Sequence, residues 1–184
     1  MRYKIITYIL FLLFALGLIG IASIVSAQAR PASTYTAYVV RIIDGDTIHV
    51  RDITGEAHRI RLAMIDAPER EQPFGTEATK KISELLRQGT VRLKVKCIDK
   101  YNREVAFVYC EGKDVSAEML KEGMTLHYHM NFDKCEMYDK FEATAKRCHK
   151  GLWSQEKIEK PWDFRRKHKA QEELKLLAIE LNSK

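Results

Sequence analysis

Acidic side chains follow two segments of the chain that have the pattern of β-strands. Asp44 and Asp46 share a tight turn, and Asp66 and Glu69 follow a later strand. If the two strands are neighbours, these four carboxylates converge. Hard oxygen ligands suit Ca²⁺ or Mg²⁺, and neither thiols nor imidazoles stand beside them to attract zinc. The cluster predicts a divalent-cation site, although an Asp-Gly-Asp turn taken alone more often serves only turn geometry.

Two arginines have positions that could complement the acids. Arg61 lies on the strand that leads to Asp66, and Arg103 ends the polar loop 99–103. Guanidinium groups stay charged and present a fixed fork that matches phosphate oxygens. Apolar and polar residues alternate along the strand of Arg61, so the pattern predicts that Arg61 is displayed on a polar face and not buried. A cation beside two arginines would stabilise the negative charge that develops when water attacks a phosphodiester.

The elements that must position these groups are short strands and a few helices. Alternating patterns predict strands at 38–43, 47–51 and 57–64 and a hairpin of 91–95 with 105–109. Helical patterns cover 76–87, 116–122 and a longer helix that Asp133 caps and that runs to 149. The prediction is an α+β fold, a five-stranded OB-fold β-barrel with about three flanking helices, since closure leaves no exposed strand edges.

Three separated blocks of sequence occur in a characteristic order at 43–47, 61–69 and 99–103. The segments 74–78 and 151–153 accompany them. This ordered set resembles the staphylococcal nuclease (thermonuclease) family, and the resemblance covers residues 36–154. The chain departs from the family pattern at Asn102, where the family has glycine, and at Ala67, where the best-known member has threonine. Asn tolerates the left-handed backbone that such a glycine can require.

The resemblance implies a site for one Ca²⁺ ion. Asp46 and Asp66 match the family's calcium-binding carboxylates, and the backbone carbonyl of Ala67 matches a third ligand. Asp44 matches an aspartate that acts on the ion through a water molecule. The expected cofactor is therefore calcium, held by oxygen atoms alone.

The resemblance also implies catalytic and substrate-binding roles. Glu69 matches the proposed general base, and Arg61 and Arg103 match the arginines that clamp the scissile phosphate. Lys100 and Tyr101 match groups near the terminal phosphate of the substrate. An aromatic residue that stacks on a base is expected in the region of Tyr128. These residues form the expected catalytic and substrate-binding set.

Two functions follow from these expectations. The first is a calcium-dependent phosphodiesterase that hydrolyses DNA and RNA with little sequence specificity and leaves 3'-phosphate ends. We expect this enzyme to be a monomer and to prefer single-stranded or unpaired substrate. The alternative is a catalytically weak OB-fold module that binds nucleic acid or protein at the cell envelope. A module that had lost catalysis should lack some of the acids and arginines. Because the set is complete, the sequence favours the enzyme.

The first thirty residues predict export. Residues 5–25 carry no charge and follow Arg2 and Lys4, which predicts an N-terminal hydrophobic helix. The small-x-small sequence at 27–29 indicates a cleaved signal peptide, whereas the length of the helix also suits a retained membrane anchor. Either way the remainder lies outside the cytoplasm, secreted, periplasmic or anchored. Loss of residues 1–29 lowers the formal net charge from +6 to +4, so the exported part stays basic and favours polyanions.

The exported part divides into a nuclease-like domain at 36–155 and a basic, aromatic segment at 156–184 that ends in an amphipathic helix. Its cysteines allow disulfides in an oxidising compartment. A Cys135–Cys148 bridge is excluded if both residues lie on one helix, and Cys97 with Cys110 is favoured because the pair flanks the hairpin.

His127 and His129 could ligate a metal. Since no third ligand has suitable spacing, we expect them to line a polar surface.

Overall fold

A closed β-barrel forms the centre of the computed structural model, which describes residues 33–130 and 135–182. The strands are β1 Thr34–Ile42, β2 Thr47–Asp52, β3 Ala57–Leu62, β4 Ile65–Asp66, β5 Thr90–Ile98, β6 Glu104–Cys110, β7 Lys113–Asp114 and β8 Leu126–His127. The helices are α1 Gly75–Leu85, α2 Val115–Lys121, α3 Cys135–Arg147 and α4 Pro161–Asn182, with a 3-10 helix at Gly151–Ser154. The expected N-terminal hydrophobic helix and the expected cap at Asp133 lie outside the described residues.

Five strands close the barrel. β1 pairs antiparallel with both β2 and β5, while β3 pairs with β2 and β6 pairs with β5. A parallel pairing between β3 and β6 completes the circle, so the central strands have no free edge. This confirms the α+β fold with a five-stranded OB-type barrel.

The alternation of β5 places its apolar side chains in the barrel. Val91, Leu93 and Val95 are buried, whereas Arg92 and Lys94 are exposed. β6 is buried along nearly its whole length because α2 packs against it from outside. Each fully buried Val or Leu side chain contributes about 1.5–3 kcal/mol, so this interior supplies the main driving force for folding.

The third strand ends earlier than its alternation predicts. β3 stops at Leu62, and Met64 takes a left-handed backbone with φ 71°. The chain then turns into β4, which pairs with β8 through Ile65–His127 and Asp66–Leu126. The turn moves Asp66 out of the β3 ladder, because its strand now belongs to a separate two-stranded sheet.

Asp114 ties two helices to the barrel wall. Its carboxylate accepts a hydrogen bond from the backbone N–H of Ala117 and so caps α2. The other oxygen accepts a hydrogen bond of 2.5 Å from the hydroxyl of Tyr138, which lies on α3 and is fully buried. Burial and the neighbouring Asp114 raise the pKa of Tyr138 above its ordinary value. α2 and α3 are thereby held as one layer over β6.

The last helix begins beside the barrel. Pro161 is buried at its first position, where a missing N–H costs nothing. The ring of Trp162 packs edge-on against Tyr128 with 6.0 Å between centroids. Farther along, the apolar side chains are exposed at Leu174, Leu176, Leu177, Ile179 and Leu181. In the two described ranges, no helix combines the length and the apolar character needed to cross a bilayer.

The favoured Cys97–Cys110 disulfide is wrong, because both residues are free thiols. Cys97 lies opposite Val105 near the hairpin turn, whereas the Cys110 Sγ contacts the carbonyl of Thr90 at the open end of the hairpin. Along β5 these two ends are roughly 20 Å apart, far beyond disulfide reach. The two cysteines flank the hairpin in sequence but occupy different levels of it.

Candidate active site

A cleft of about 650 Å³ opens at one end of the barrel. Every residue that the sequence assigns to the site lines this cleft: Asp44, Asp46, Arg61, Asp66, Ala67, Glu69, Lys100, Tyr101, Arg103 and Tyr128. Arg59, Asp99 and Arg165 line it as well. The fold therefore brings together residues from six separate parts of the chain.

The turn between β1 and β2 presents the first two acids. The N–H of Asp46 donates to Asp44 Oδ1 at 3.0 Å, and the N–H of Ile43 donates to the carbonyl of Thr47 at 2.9 Å. Gly45 lies against the next layer, since a Cβ built on it would stand 2.7 Å from the Ala67 Cβ. The turn is thus pressed against the loop after β4, and a larger residue would separate the two acidic segments.

Asp46 also binds the neighbouring acidic segment directly. Its Oδ2 accepts a hydrogen bond of 2.6 Å from the N–H of Ala67, and its backbone carbonyl accepts one of 2.8 Å from Leu62. Asp66, the residue before Ala67, has no exposed surface. Two buried carboxylates are therefore fixed side by side by backbone contacts.

Arg61 lies between these two carboxylates. Its Nη1 is 2.8 Å from Asp46 Oδ2, and its Nη2 donates to Asp66 Oδ1 at 2.7 Å. The alternation along β3 predicts an exposed Arg61, and that prediction is wrong, because only 8% of the residue is exposed. The alternating pattern identifies the polar face of β3 but cannot show that Asp46 and Asp66 cover it.

The loop before β6 fixes the second arginine. Asp99 binds Arg103 through Nε and Nη2, both at 2.7 Å, and also accepts the backbone N–H groups of Tyr101 and Arg103. Asn102 has φ 57°, so it adopts the left-handed backbone expected at the position where the family has glycine. The exposed ring of Tyr101 lies 5.2 Å from the guanidinium of Arg103. Asp99 therefore holds both the loop and the guanidinium at the cleft.

An unforeseen residue completes the acidic end of the cleft. Arg165 Nη1 donates to Glu69 Oε1 at 2.6 Å, and its Nη2 donates to Asp66 Oδ2 at 2.7 Å. Hydrogen bonds to Asp66 and Glu69 outweigh burial and raise the pKa of Arg165 above its ordinary value. The basic composition of the C-terminal segment was visible in the sequence, but nothing in it indicates which arginine reaches the cleft.

The surroundings of Asp44 and Asp66 disfavour the ionised form of both carboxyl groups. Burial, followed by repulsion from Asp46, raises the pKa of Asp44 to about 6. Burial also raises the pKa of Asp66, against the opposing effects of Arg165 and Arg61. An additional cation would relieve both effects, because it favours the ionised carboxylates.

The donor set fits a hard divalent cation. The residues that could hold it are Asp46 and Asp66, with Asp44 and the carbonyl of Ala67 close by, and none of the described residues that line the cleft is a thiol or an imidazole. Across the residues that the structure describes, the cleft has no three carboxylates with ligand oxygens all within 4.8 Å of one another. The oxygens of Asp66 bind the guanidinium groups of Arg61 and Arg165, in the place where a cation would bind them.

Comparison with known sequences agrees with this geometry. The family described as "Staphylococcal nuclease homologue" matches residues 59–155. A protein named "Uncharacterized endonuclease" from Haemophilus influenzae is 36% identical, over 73% of this chain and 75% of its own length. The chain belongs to the staphylococcal nuclease homologue family.

Other members of the staphylococcal nuclease homologue family show the same level of similarity. A "Micrococcal nuclease" from Shigella flexneri is 36% identical over 71% of this chain and 80% of its own length. "Staphylococcal-like nuclease CAN1" from Arabidopsis thaliana is also 36% identical, but the chain covers only 35% of that protein. The match to the family model ends at residue 155, before α4 begins, so Arg165 lies outside the matched residues.

The histidines beside the cleft are arranged differently from the sequence expectation. His127 is buried, and its Nδ1 lies 2.9 Å from Asp139 Oδ1. His129 Nε2 lies 3.4 Å from the same oxygen. A third ligand-type group is thus present, and His127 does not line a polar surface. The short contact between His127 and Asp139 identifies the pair as a hydrogen bond that joins β8 to α3.

Proposed function

We propose that this protein is a calcium-dependent phosphodiesterase that hydrolyses DNA and RNA with little sequence specificity. The observation that carries the proposal is the position of Arg61, held between Asp46 and Asp66 in a cleft that Arg103 also lines. Cation ligands and phosphate-binding groups thereby share one cavity. The names of the relatives, which include endonuclease and micrococcal nuclease, support the same class of reaction.

The chemistry requires charge stabilisation and a proton acceptor. A calcium ion bound by Asp46 and Asp66, the carbonyl of Ala67 and, through water, Asp44 would polarise the phosphoryl oxygens. Arg61 and Arg103 donate to the oxygens on which negative charge accumulates, and their rigid anchors reduce the cost of reorganisation. Their carboxylate partners therefore orient them before the substrate arrives.

Glu69 is the proposed general base. It stands on the loop after Asp66, where its carboxylate can accept a proton from the attacking water, directly or through one bridging water. Its backbone is fixed because its N–H donates to the Gln72 side chain at 2.9 Å. In-line attack then expels the 5'-oxygen and leaves a 3'-phosphate end.

The rim of the cleft supplies the substrate contacts. Lys100 and Tyr101 are exposed beside Arg103 and would bind a terminal phosphate. Tyr128 is 42% exposed, so part of its ring is open for stacking on a base. A contact of this kind needs an unstacked base, which supports a preference for single-stranded or unpaired substrate. We propose that the protein acts as a monomer.

The proposed reaction is tested on the full chain, purified in a mild detergent, with a labelled single-stranded oligonucleotide. Cleavage is expected with calcium and should stop when a chelator is added. R61A should cleave about 10²–10³-fold more slowly with calcium. Equal cleavage in all three reactions would discard the proposal, whereas tight binding without turnover would support the binding module.

We further propose that the nuclease domain acts outside the cytoplasm. Support comes from the uncharged segment 5–25 with its positive flank and the small-x-small site at 27–29. Protease added to intact cells should degrade an anchored domain, and a secreted domain should appear in the medium. A periplasmic domain should be released by osmotic shock, and a domain found only in the cytoplasmic fraction would contradict the proposal.

A further inference from the structure

The first turn of α4 enters the cleft where catalysis is proposed. Arg165 makes hydrogen bonds of 2.7 Å and 3.3 Å to the two oxygens of Asp66 and one of 2.6 Å to Glu69. The Asp66 side chain is only 1% exposed, whereas that of Arg165 is 46% exposed. The guanidinium therefore covers a buried carboxylate from the solvent side.

Several contacts fix this position of the helix. Before α4, the carbonyl of Glu159 accepts a hydrogen bond of 3.0 Å from Gln72, which belongs to the loop of Glu69. The buried Pro161 begins the helix, and Trp162 packs against Tyr128 at the rim. Arg165 lies one turn after Pro161, so its contacts in the cleft depend on the packing of the helix start against the barrel.

The atoms that Arg165 occupies are those that the proposed reaction needs. Asp66 would have to offer an oxygen to the cation, and Glu69 would have to accept a proton. Charge-assisted, two-pronged bonds of this kind are among the stronger polar contacts in proteins. Both oxygens of Asp66 are already engaged, one by Arg61 and Arg165 together and one by Arg165. A cation and Arg165 therefore compete for the same carboxylate.

We propose that α4 is an autoinhibitory element, in which Arg165 holds Asp66 and Glu69 until a divalent cation displaces it. The inference rests on the proposed function, since it names the control of the same site. Free calcium then sets the fraction of molecules in which the helix start is released.

The test measures calcium binding by calorimetry on the full chain in detergent, independently of cleavage. R165Q should bind calcium about tenfold more tightly than the unchanged protein, a typical size for coupling between two binding events. R166Q is the matched control, because Arg166 is 79% exposed in its side chain and bonds only Asp163 among the contacts described. R166Q should match the unchanged protein.

A second measurement follows the helix itself. Calcium should increase amide hydrogen exchange at 162–166 in the unchanged protein, and R165Q should show the increase without calcium. Equal calcium affinity of R165Q and R166Q would overturn autoinhibition, although the proposed function would stand. Slower cleavage by R165Q at saturating calcium, with unchanged affinity, would also overturn it. If no form binds calcium, both the proposed function and the inference fail.

Discussion

Arg61 Nη2 lies 2.7 Å from Asp66 Oδ1, and neither side chain has more than a tenth of its surface in solvent. The same guanidinium reaches Asp46 at 2.8 Å. One buried positive charge therefore separates two buried negative charges. The guanidinium of Arg61 therefore affects both the stability of the fold and the chemistry of the cleft.

Replacement of Arg61 should affect both properties. R61A leaves two buried carboxylates without their shared partner, which costs about 3–5 kcal/mol in the free energy of unfolding. Cleavage should fall about 10²–10³-fold, as for removal of one charge-stabilising donor. R61K keeps the charge but loses the fork, so it should restore stability more than rate. Denaturant unfolding and initial cleavage rates measure the two effects.

The matched control is R51A, because Arg51 is an exposed arginine on the neighbouring strand and bonds only the carbonyl of Gly55 among the contacts described. It should keep both stability and rate. If R61A behaved as R51A does, the assignment of Arg61 would be wrong.

Asp99 should act on the reaction through Arg103. D99N keeps the shape of the loop but loses the charge that holds the guanidinium through two contacts of 2.7 Å. We expect a fall of roughly tenfold in cleavage rate at saturating calcium, because misplaced catalytic groups lose much of their effect. Calcium affinity should not change. A large loss of calcium affinity would instead place Asp99 in the cation site.

Calcium affinity should depend on the protonation of Asp44. Its pKa is raised to about 6, so below that pH much of the site carries a proton on this carboxyl. A cation favours the ionised form, and affinity should therefore rise as pH increases through this value and level off above it. The raised pKa of Asp66 acts in the same direction. The effect is measured by calorimetric titration with calcium one pH unit below and one pH unit above the pKa of Asp44, with D44N as the comparison. An affinity that is flat across this range contradicts it.

Gly45 should be intolerant of a side chain. In G45A the new Cβ would stand 2.7 Å from the Ala67 Cβ and 2.8 Å from that of Ala78, both of which are buried. Overpacking of this kind costs about 1–3 kcal/mol and would push the acidic turn away from Asp66. Stability and calcium affinity should both fall. G89A is the control for calcium affinity: nothing lies within 4 Å of its Cβ, and its φ of 75° means that it too should lose stability, but only G45A should lose calcium affinity. Unchanged calcium affinity in G45A would show that the turn does not need this close approach.

The thiols of Cys97, Cys110 and Cys148 should remain unlinked. Alkylation without reductant, followed by mass spectrometry, should modify the exposed Cys97 and Cys148 and leave the buried Cys110 unmodified until the protein unfolds. Burial and the nearby Asp99 raise the pKa of Cys97, which slows its reaction. C97S should change stability by less than about 0.5 kcal/mol, as is usual for a surface substitution. A disulfide that joins the peptides of Cys97 and Cys110 would contradict the hairpin register.

The sequence predicts the barrel well where local patterns decide structure. The alternation of Val91, Leu93 and Val95 identifies β5 because one face of that strand is solvated and the other packs in the barrel. The same rule misplaces Arg61, since the period shows which face is polar but not what covers that face. The order of the acids and arginines along the chain is visible, whereas their contacts arise from the closure of the barrel.

Long-range contacts account for the remaining differences. Arg165 meets Asp66 across almost a hundred positions of sequence, and no local pattern separates it from Arg166 beside it. Cys97 and Cys110 flank the hairpin, but a disulfide also requires the same level in the ladder. The contact of Arg165 with Asp66 and the separation of Cys97 from Cys110 both depend on distances that only the folded chain defines.

The initial rate of oligonucleotide cleavage as free calcium is titrated, with D66N measured beside the unchanged protein, tests whether Asp66 holds the ion that the reaction needs. We expect no cleavage without calcium, a saturating rise as the ion is added, and no rise in D66N. Cleavage that is independent of calcium, or a D66N variant with the same titration curve, would contradict this expectation.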